Sequence, residues 1–442
     1  MEITITSRET IKPISPTPEE HKIYKLSLFD ELQIVTYLPT LFFYPKTDKF
    51  PEPSQISHQL KQSLSEALAI FYPVAGRRND LTSIICNDEG SPFYEAKVNM
   101  SMAEFLKPPK LEFLNKLLPC EPNRIHKATE PLPQVLIQLN SFNCGGIAIG
   151  VCNLHTLLDG YSGCLFKATW AAICRGSRDE VSCPDLSTAS SFFPPMYTSN
   201  VPDGNRASTI EKNCTTRRFL FGIEAINILR AAARDNKSVR NPSRYDALAA
   251  LISKHMILAR KVDSCDTMAA FHLVDMRRRI GEPFNKQTVG NLFWAAMVVY
   301  ECNKVNPESD IKDFVTNARE KIGELSRELF LSVQSNPHIL IKGSPTAKQP
   351  EGVDKEDLFI PFLFTSWLNV VSLNEFDFGW GKPVWAGVRG GAQETLPNIV
   401  VLMETNEGVE AWITMEEKYM GILETDLEFL RFASPNPSVS SI

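Results

Sequence analysis

The segment HTLLDG, residues 155–160, sets an imidazole four positions ahead of a carboxylate, directly after the apolar run GGIAIGVCNL. A neutral imidazole at a strand end could take a proton from a hydroxyl near neutral pH. The plainer alternative is a core histidine with a satisfied hydrogen bond. Gly160 after Asp159 suggests a turn, and loops at strand ends commonly display reacting groups. Asp159 has two roles open to it: it could orient the ring as the acid of a triad, or brace the loop through an arginine. Outside a helix a four-residue offset does not bring carboxylate and ring together, so the brace is preferred.

Other candidate nucleophiles lack a seat. GYSGC places Ser162 beside a glycine but misses the GxSxG elbow, because position 164 is cysteine. Cys164 has Leu165 and Phe166 as neighbours, which would raise a thiol's pKa and leave it a small buried hydrophobe. DFGWGKP, 377–383, contains the DFG of protein kinases, yet the chain has no HRD segment and no glycine-rich phosphate loop. Gly379 and Gly381 flanking a tryptophan predict a tight loop held by ring packing. Asp377 in that loop would pair with Arg277 or Arg279 of VDMRRR, unless those charges are simply solvated. FTSWLN, 364–369, reads as a strand-like run carrying a hydroxyl and the indole N–H of Trp367, which are donors for an oxyanion or parts of an ordinary core. KSVRNPSRY, 237–245, leads into a helix capped by Ser243 with Arg240 and Arg244 nearby. That arrangement suits a phosphate, or is a capped surface helix.

These groups need a scaffold. Leu60, Leu64, Leu68 and Phe71 lie at helical spacing up to Pro73. Residues 134–142 and 147–155 read as two strands joined by NCGG, which makes His155 a strand-end residue. Further on, TRRFLFG reads as a strand, IEAINILRAAARD as a helix, and SRYDALAALISKHMILARK as a helix opened by a Ser243–Asp246 capping box. TMAAFHLVDM reads as extended and 311–335 as one long amphipathic helix. NIVVLMETNEGVEAWITM reads as a hairpin, followed by a last helix through Leu430. At 442 residues the chain exceeds one ordinary core. The Ser-, Pro- and Asn-rich stretch 183–209 divides it into 1–182, carrying HTLLDG, and 210–442, carrying VDMRRR, FTSW and DFGWG. The polar break 343–357 reads as a surface loop. Both halves are mixed α/β.

A net charge of −6 without a basic run argues against a nucleic-acid binder. The start lacks a secretion signal and no stretch is apolar enough to span a membrane, so a cytoplasmic protein is expected. Ten scattered cysteines read as reduced thiols and offer no metal site.

Taken jointly, YPVAGR (72–77), HTLLDG, VDMRRR (274–279) and DFGWGKP resemble the plant BAHD acyltransferase family in residues, order and separation. The resemblance runs from KLSLFDEL to the last helix, and HxxxDG with DFGWGKP about 220 residues on is highly specific. It implies an α/β fold of two chloramphenicol-acetyltransferase-like domains with a channel between them, an acyl-CoA cosubstrate and a small-molecule alcohol acceptor. No metal, bound cofactor or acyl-enzyme is implied, and a monomer is expected. By resemblance His155 is the general base, Trp367 lies near the oxyanion and Thr365 faces the acceptor. Asp159, Gly160, Arg277, Asp377, Gly379 and Gly381 are then structural, the two aspartates bonding to arginines. Arg240, Ser243 and Arg244 are candidates for the phosphates of coenzyme A. Glu31 after LSLFD, where many members carry glutamine, and a missing tryptophan in LISKHMILA depart from the pattern. The opening SRETIKPISPTP looks like the branch that acetylates alkaloid and terpenoid alcohols, limonoids among them, which makes acetyl-CoA the expected donor; the alternatives are aroyl or malonyl transfer and a non-catalytic, ligand-binding relative, against which the intact HTLLDG argues.

Overall fold

The computed structural model describes residues 1–48, 50–122, 124–127, 130–196, 211–235, 239–261, 267–339, 359–370, 372–395 and 398–439. Two large mixed sheets organise the chain. The first runs Ile3–Ile11, Ser91–Val98, Val135–Phe142, Ile147–Leu154, Tyr37–Tyr44 and Trp385–Gly387 across its width. All eight residues of Ile147–Leu154 are buried, because that strand lies inside the sheet between Val135–Phe142 and Tyr37–Tyr44. A strand covered on both faces reads as a continuous apolar run rather than an alternating one, which is what GGIAIGVCNL shows.

The helix Pro53–Ile70 covers this sheet with Leu60, Leu64 and Leu68 fully buried. It packs on the helix Gly160–Arg175, whose Trp170 indole donates to Leu60 O (3.2 Å) and Ser63 Oγ (3.0 Å). Burying each such leucine contributes about 1.5–3 kcal/mol. The helix that follows HTLLDG is thereby fixed against the sheet that precedes it.

The second sheet runs Phe293–Glu301, Thr267–Asp275, Phe359–Ser366, Ile399–Thr405, Gly408–Glu416, Glu211–Gly222 and Gly391–Thr395, with Ser434–Pro435 added to Glu211–Gly222. Its helix face buries Phe362 and Phe364 against Arg244–Arg260, a helix buried nearly all round. Its other face carries Phe271, Ala295 and Leu363.

Trp385–Gly387, from the second half of the chain, pairs antiparallel with Leu41–Phe43 of the first sheet, so the chain crosses back. Two features differ from the sequence expectations. The helix expected over 311–335 is two, Ile311–Glu324 and Arg327–Ser335. Leu325 leaves helical geometry and Ser326 opens the second by accepting from Leu329 N, while Phe330 and Val333 join a different apolar cluster from Phe314 and Val315. The last helix is likewise Glu417–Leu423 and Leu427–Leu430, because Asp426 caps the second by accepting from Glu428 N and Phe429 N. The loop read at 343–357 and the second half of the boundary segment, 197–209, lie outside the described residues. No helix among the described residues is long and apolar enough to cross a membrane.

Candidate active site

His155 follows the last residue of Ile147–Leu154 and is fixed by its backbone before its ring does anything. Its N–H donates to Thr36 O (2.8 Å) and its carbonyl accepts from Asn291 Nδ2 (2.8 Å). The half-buried ring stands 5.7 Å from that of Phe293. Burial lowers its pKa below the ordinary histidine value, opposed by the charge of Asp159, its own backbone carbonyl and the Asn291 side chain. The ring is therefore neutral near pH 7, the form a base requires.

Asp159 does not act on that ring as a hydrogen-bond acceptor. Its Oδ1 accepts from Ser162 N (2.7 Å), capping Gly160–Arg175, and its two oxygens take Arg277 Nη1 (3.0 Å) and Nη2 (3.2 Å) in a fork. Leu292 N adds a fourth bond at 3.1 Å. Arg277 also donates to Asp275 Oδ1 (2.8 Å), Ser162 Oγ (2.9 Å), Thr288 O (3.0 Å) and Gly290 O (3.0 Å), with its guanidinium over Tyr161. Burial works against its charge, yet Asp159 and Asp275 hold its pKa above the ordinary value. Ser162 Oγ, bonded to Arg277, Gly290 N and Gly290 O, is committed to this network and is no nucleophile in waiting. Cys164 is buried and burial raises its pKa.

The second sheet delivers Trp367 to the same loop. It comes one residue past Phe359–Ser366, and its backbone N–H donates to Leu402 O (2.8 Å). A Cβ on Gly160 would sit 3.3 Å from Trp367 Nε1, so the glycine serves close approach of the indole rather than an unusual backbone angle. Beside them lies a small cleft lined by Phe42, Cys164, Trp367, Val370, Met403 and others from both halves. Thr365, half-buried, shares the sheet face of Leu363, opposite Phe364.

DFGWG lies elsewhere. Asp377 Oδ1 accepts from Gly379 N (2.8 Å) and Gly381 N (3.0 Å), and both glycines adopt positive φ, +113° and +112°. Phe378 and Trp380 stack at 5.8 Å, and Phe378 meets Trp170 edge-on. The expected partners of Asp377 are corrected here: Arg277 belongs to Asp159, and Arg279 donates to Leu325 O. An arginine does reach Asp377, but it is Arg175 and it bonds the backbone carbonyl (3.0 Å). Arg175 ends the 16-residue helix that Asp159 begins. DFGWG thus stands about 24 Å from the reacting loop, at 1.5 Å per residue.

At Arg244–Arg260 the capping box is present: Ser243 N donates to Asp246 Oδ2 (2.7 Å) and Asp246 N to Ser243 Oγ (3.1 Å). Arg244 is already engaged, with Glu404 (2.8 Å) and Asn369 (3.2 Å), while Arg240 is exposed. No group of three or more possible metal ligands occurs among the described residues.

Sequence reasoning missed Asn291 and Asp30, which adjoin His155 through hydrogen bonds. LSLFD entered only as a stretch of the family pattern, and a lone asparagine after Gly290 carries no periodic signal.

With the site assembled, comparison with known proteins places the chain. The profile of the Transferase family matches residues 1–430. Akuammiline synthase 2 of Alstonia scholaris is 36 % identical, over 99 % of this chain and 98 % of that protein. A limonoid 21-O-acetyltransferase of Melia azedarach is 32 % identical, over 99 % of this chain and 100 % of that protein. The crystal structure of vinorine synthase superposes with a TM-score of 0.81 at 30 % identity, covering 100 % of both chains. The chain belongs to the Transferase family, as a BAHD acyltransferase of the branch that holds vinorine synthase and the limonoid O-acetyltransferases.

Proposed function

We propose that the enzyme transfers an acetyl group from acetyl-CoA to a hydroxyl of a polycyclic plant metabolite, a limonoid or other triterpenoid or an alkaloid, with His155 as general base. The observation that carries this reading is His155 held at the end of a buried strand, in the loop whose Gly160 closely meets an indole N–H supplied by the other half of the molecule; burial, which lowers the pKa of the ring, supports it. His155 takes the proton of the acceptor hydroxyl as its oxygen attacks the thioester carbonyl. The tetrahedral oxyanion gathers charge within reach of the Trp367 N–H. The C–S bond then breaks, and the imidazolium returns its proton to the departing thiolate, so that ester and free coenzyme A leave with no covalent enzyme intermediate. Thr365 faces the acceptor in this scheme. Arg240, Ser243 and Arg244 meet the phosphates, with Arg244 exchanging Glu404 for them.

The acetyl donor and the acceptor class are supported by relatives named for O-acetylation of limonoids. The test is coenzyme A release from acetyl-CoA with a panel of polycyclic alcohols, products identified by mass, in wild type and His155→Ala. Acceptor-dependent release with a gain of one acetyl group, lost in the variant, is expected. Preference for malonyl- or hydroxycinnamoyl-CoA would overturn the donor, and retained activity in His155→Ala would overturn the base. Acyl release to water without an acceptor would mark a hydrolase instead.

A further inference from the structure

We infer that the segment Gly290–Phe293 is a clasp by which the second half of the chain fixes the strand-end base, with Asn291 as its positioning residue. Three successive backbone amides anchor the segment to the first half, and the Asn291 side chain then holds the His155 carbonyl. The inference rests on His155 being the base and deepens that assignment.

Gly290, Asn291 and Leu292 lead into Phe293–Glu301, the edge strand of the second sheet. Backbone amides beside a sheet usually find a partner in a neighbouring strand. These three find theirs in side chains of the first half. Gly290 N donates to Ser162 Oγ (3.2 Å), Asn291 N to Asp30 Oδ1 (2.7 Å) and Leu292 N to Asp159 Oδ2 (3.1 Å). All three acceptors are buried, as are Asn291 and Leu292. The carbonyls are held as well: Gly290 O accepts from Ser162 Oγ (3.1 Å) and Arg277 Nη2 (3.0 Å), and Leu292 O from Met276 N (2.8 Å). The segment is fixed before its side chains are counted.

From that backbone the Asn291 side chain reaches back across the boundary. Its Nδ2 donates to His155 O (2.8 Å) and to Asp30 Oδ1 (2.8 Å). A peptide carbonyl only accepts, so the amide end facing His155 is the NH₂, and both of its hydrogens are spent. Two residues on, Phe293 sets its ring 5.7 Å from that of His155. The base is thus gripped from two sides: Thr36 O takes its N–H within the first half, and Asn291 takes its carbonyl from the second. The strand ends at Leu154, so the His155 carbonyl lies beyond the ladder and the Asn291 bond stands where a neighbouring strand's would. Losing that bond frees the His155 backbone on one side, and a base displaced by a fraction of an ångström loses rate. Asn291 acts only through His155.

The experiment records the ¹H–¹³C spectrum of histidine labelled at ring Cε1, with His155 identified by the signal lost in His155→Ala. In Asn291→Ala the His155 signal should shift or broaden while the remaining histidine signals stay in place. In acyl transfer, assayed well below the melting temperature, kcat should fall about tenfold or more with KM for acetyl-CoA within about twofold of wild type. An unmoved His155 signal would overturn the inference. A shift shared by all histidines would overturn it too, as the mark of a general loosening, and so would a normal kcat beside an inactive His155→Ala. If Asn291→Ala fails to fold, Asn291→Ser decides on the same signal: one hydroxyl donor cannot serve both oxygens, so the signal must move, and an unmoved one overturns the clasp. The spectrum requires no substrate, so an active His155→Ala would retire the base and leave the clasp to be judged on the spectrum alone.

Discussion

Two motifs built from the same residue types, Asp159–Gly160 and Asp377 with its glycines, stand at opposite ends of one helix and do different work. At the N-terminal end Asp159 is buried and held by Arg277 from the second half of the chain. At the C-terminal end Asp377 shapes its own loop, and only its backbone meets Arg175. The aspartate that ties two halves together has a buried charge to answer for. The one that organises a turn has partners two and four residues away and leans on solvent for the rest. An Asp–Gly pair in a motif therefore does not announce its role; what matters is whether the carboxylate's partners are local or distant.

The largest effect should come from the group that this bracing presents. His155→Ala is expected to lower acyl transfer by about 10²–10⁴-fold with thermal stability kept, measured by coenzyme A release beside a melting curve. Because burial depresses the pKa of His155, the protonated and inactive form accumulates only at a pH lower than an ordinary histidine would need. The plot of kcat/KM against pH should be level at 7–8 and fall on the acid side with an apparent pKa under the ordinary value of about 6.5. A midpoint above 7 would break the link between a buried neutral ring and the chemistry.

Breaking the brace should damage the fold as well as the rate. In Arg277→Ala the Asp159 carboxylate, 5 % exposed, loses both forked bonds and is left charged in a site built for a pair. Removing one partner of such a pair costs about 3–5 kcal/mol. Urea unfolding should show that loss. Arg175→Ala, at the helix's other end, should lose much less, since its bond to Asp377 is to a carbonyl. Equal losses at both ends would erase the distinction between them.

Much of this arrangement was legible where the signal is local. The all-apolar strand before His155, the Leu60–Leu64–Leu68 stripe and the Ser243–Asp246 cap depend on neighbours a few residues away, and each lies where its pattern put it. FTSWLN stood out for its donors, but only the family resemblance chose between a site and an ordinary core for Trp367 and Thr365. What depends on distant partners was not legible. Trp385–Gly387 is three residues long and pairs with a strand more than 300 positions earlier. Arg277 stands among three consecutive arginines, and nothing in VDMRRR says which of them is buried or which aspartate it will meet. The break at Leu325 was hidden because the apolar stripe continues across it while the surface it packs on changes. Asn291 was invisible for the same reason: its value lies in two carboxylate and carbonyl partners supplied from elsewhere.

Gly160→Ala probes the meeting of the two halves more gently. The new methyl carbon would lie 3.3 Å from the Trp367 indole nitrogen, close enough to push the ring by a few tenths of an ångström. If that N–H steadies the oxyanion, kcat should fall roughly tenfold, since small displacements of a positioned donor are amplified in rate. The fold should scarcely register the change, and KM for acetyl-CoA should move little. A normal kcat would place the indole outside the reacting geometry and leave Trp367 as a packing residue.

The smallest effect should belong to Asp377. Asp377→Ala removes two side-chain bonds to the amides of Gly379 and Gly381, both of them near solvent, so water can replace what is lost. About 0.5–1.5 kcal/mol of stability is the expected cost for bonds of this kind. The stacked rings of Phe378 and Trp380 and the edge contact with Trp170 remain to hold the loop. With the reacting atoms a full helix away, kcat should stay within about twofold of wild type once the protein is held well below its melting temperature. A large loss of kcat in a folded Asp377→Ala would mean that the helix Gly160–Arg175 transmits the state of its far end to His155. Asp377 would then join Asp159 as a determinant of the active geometry, at the other end of the same rod.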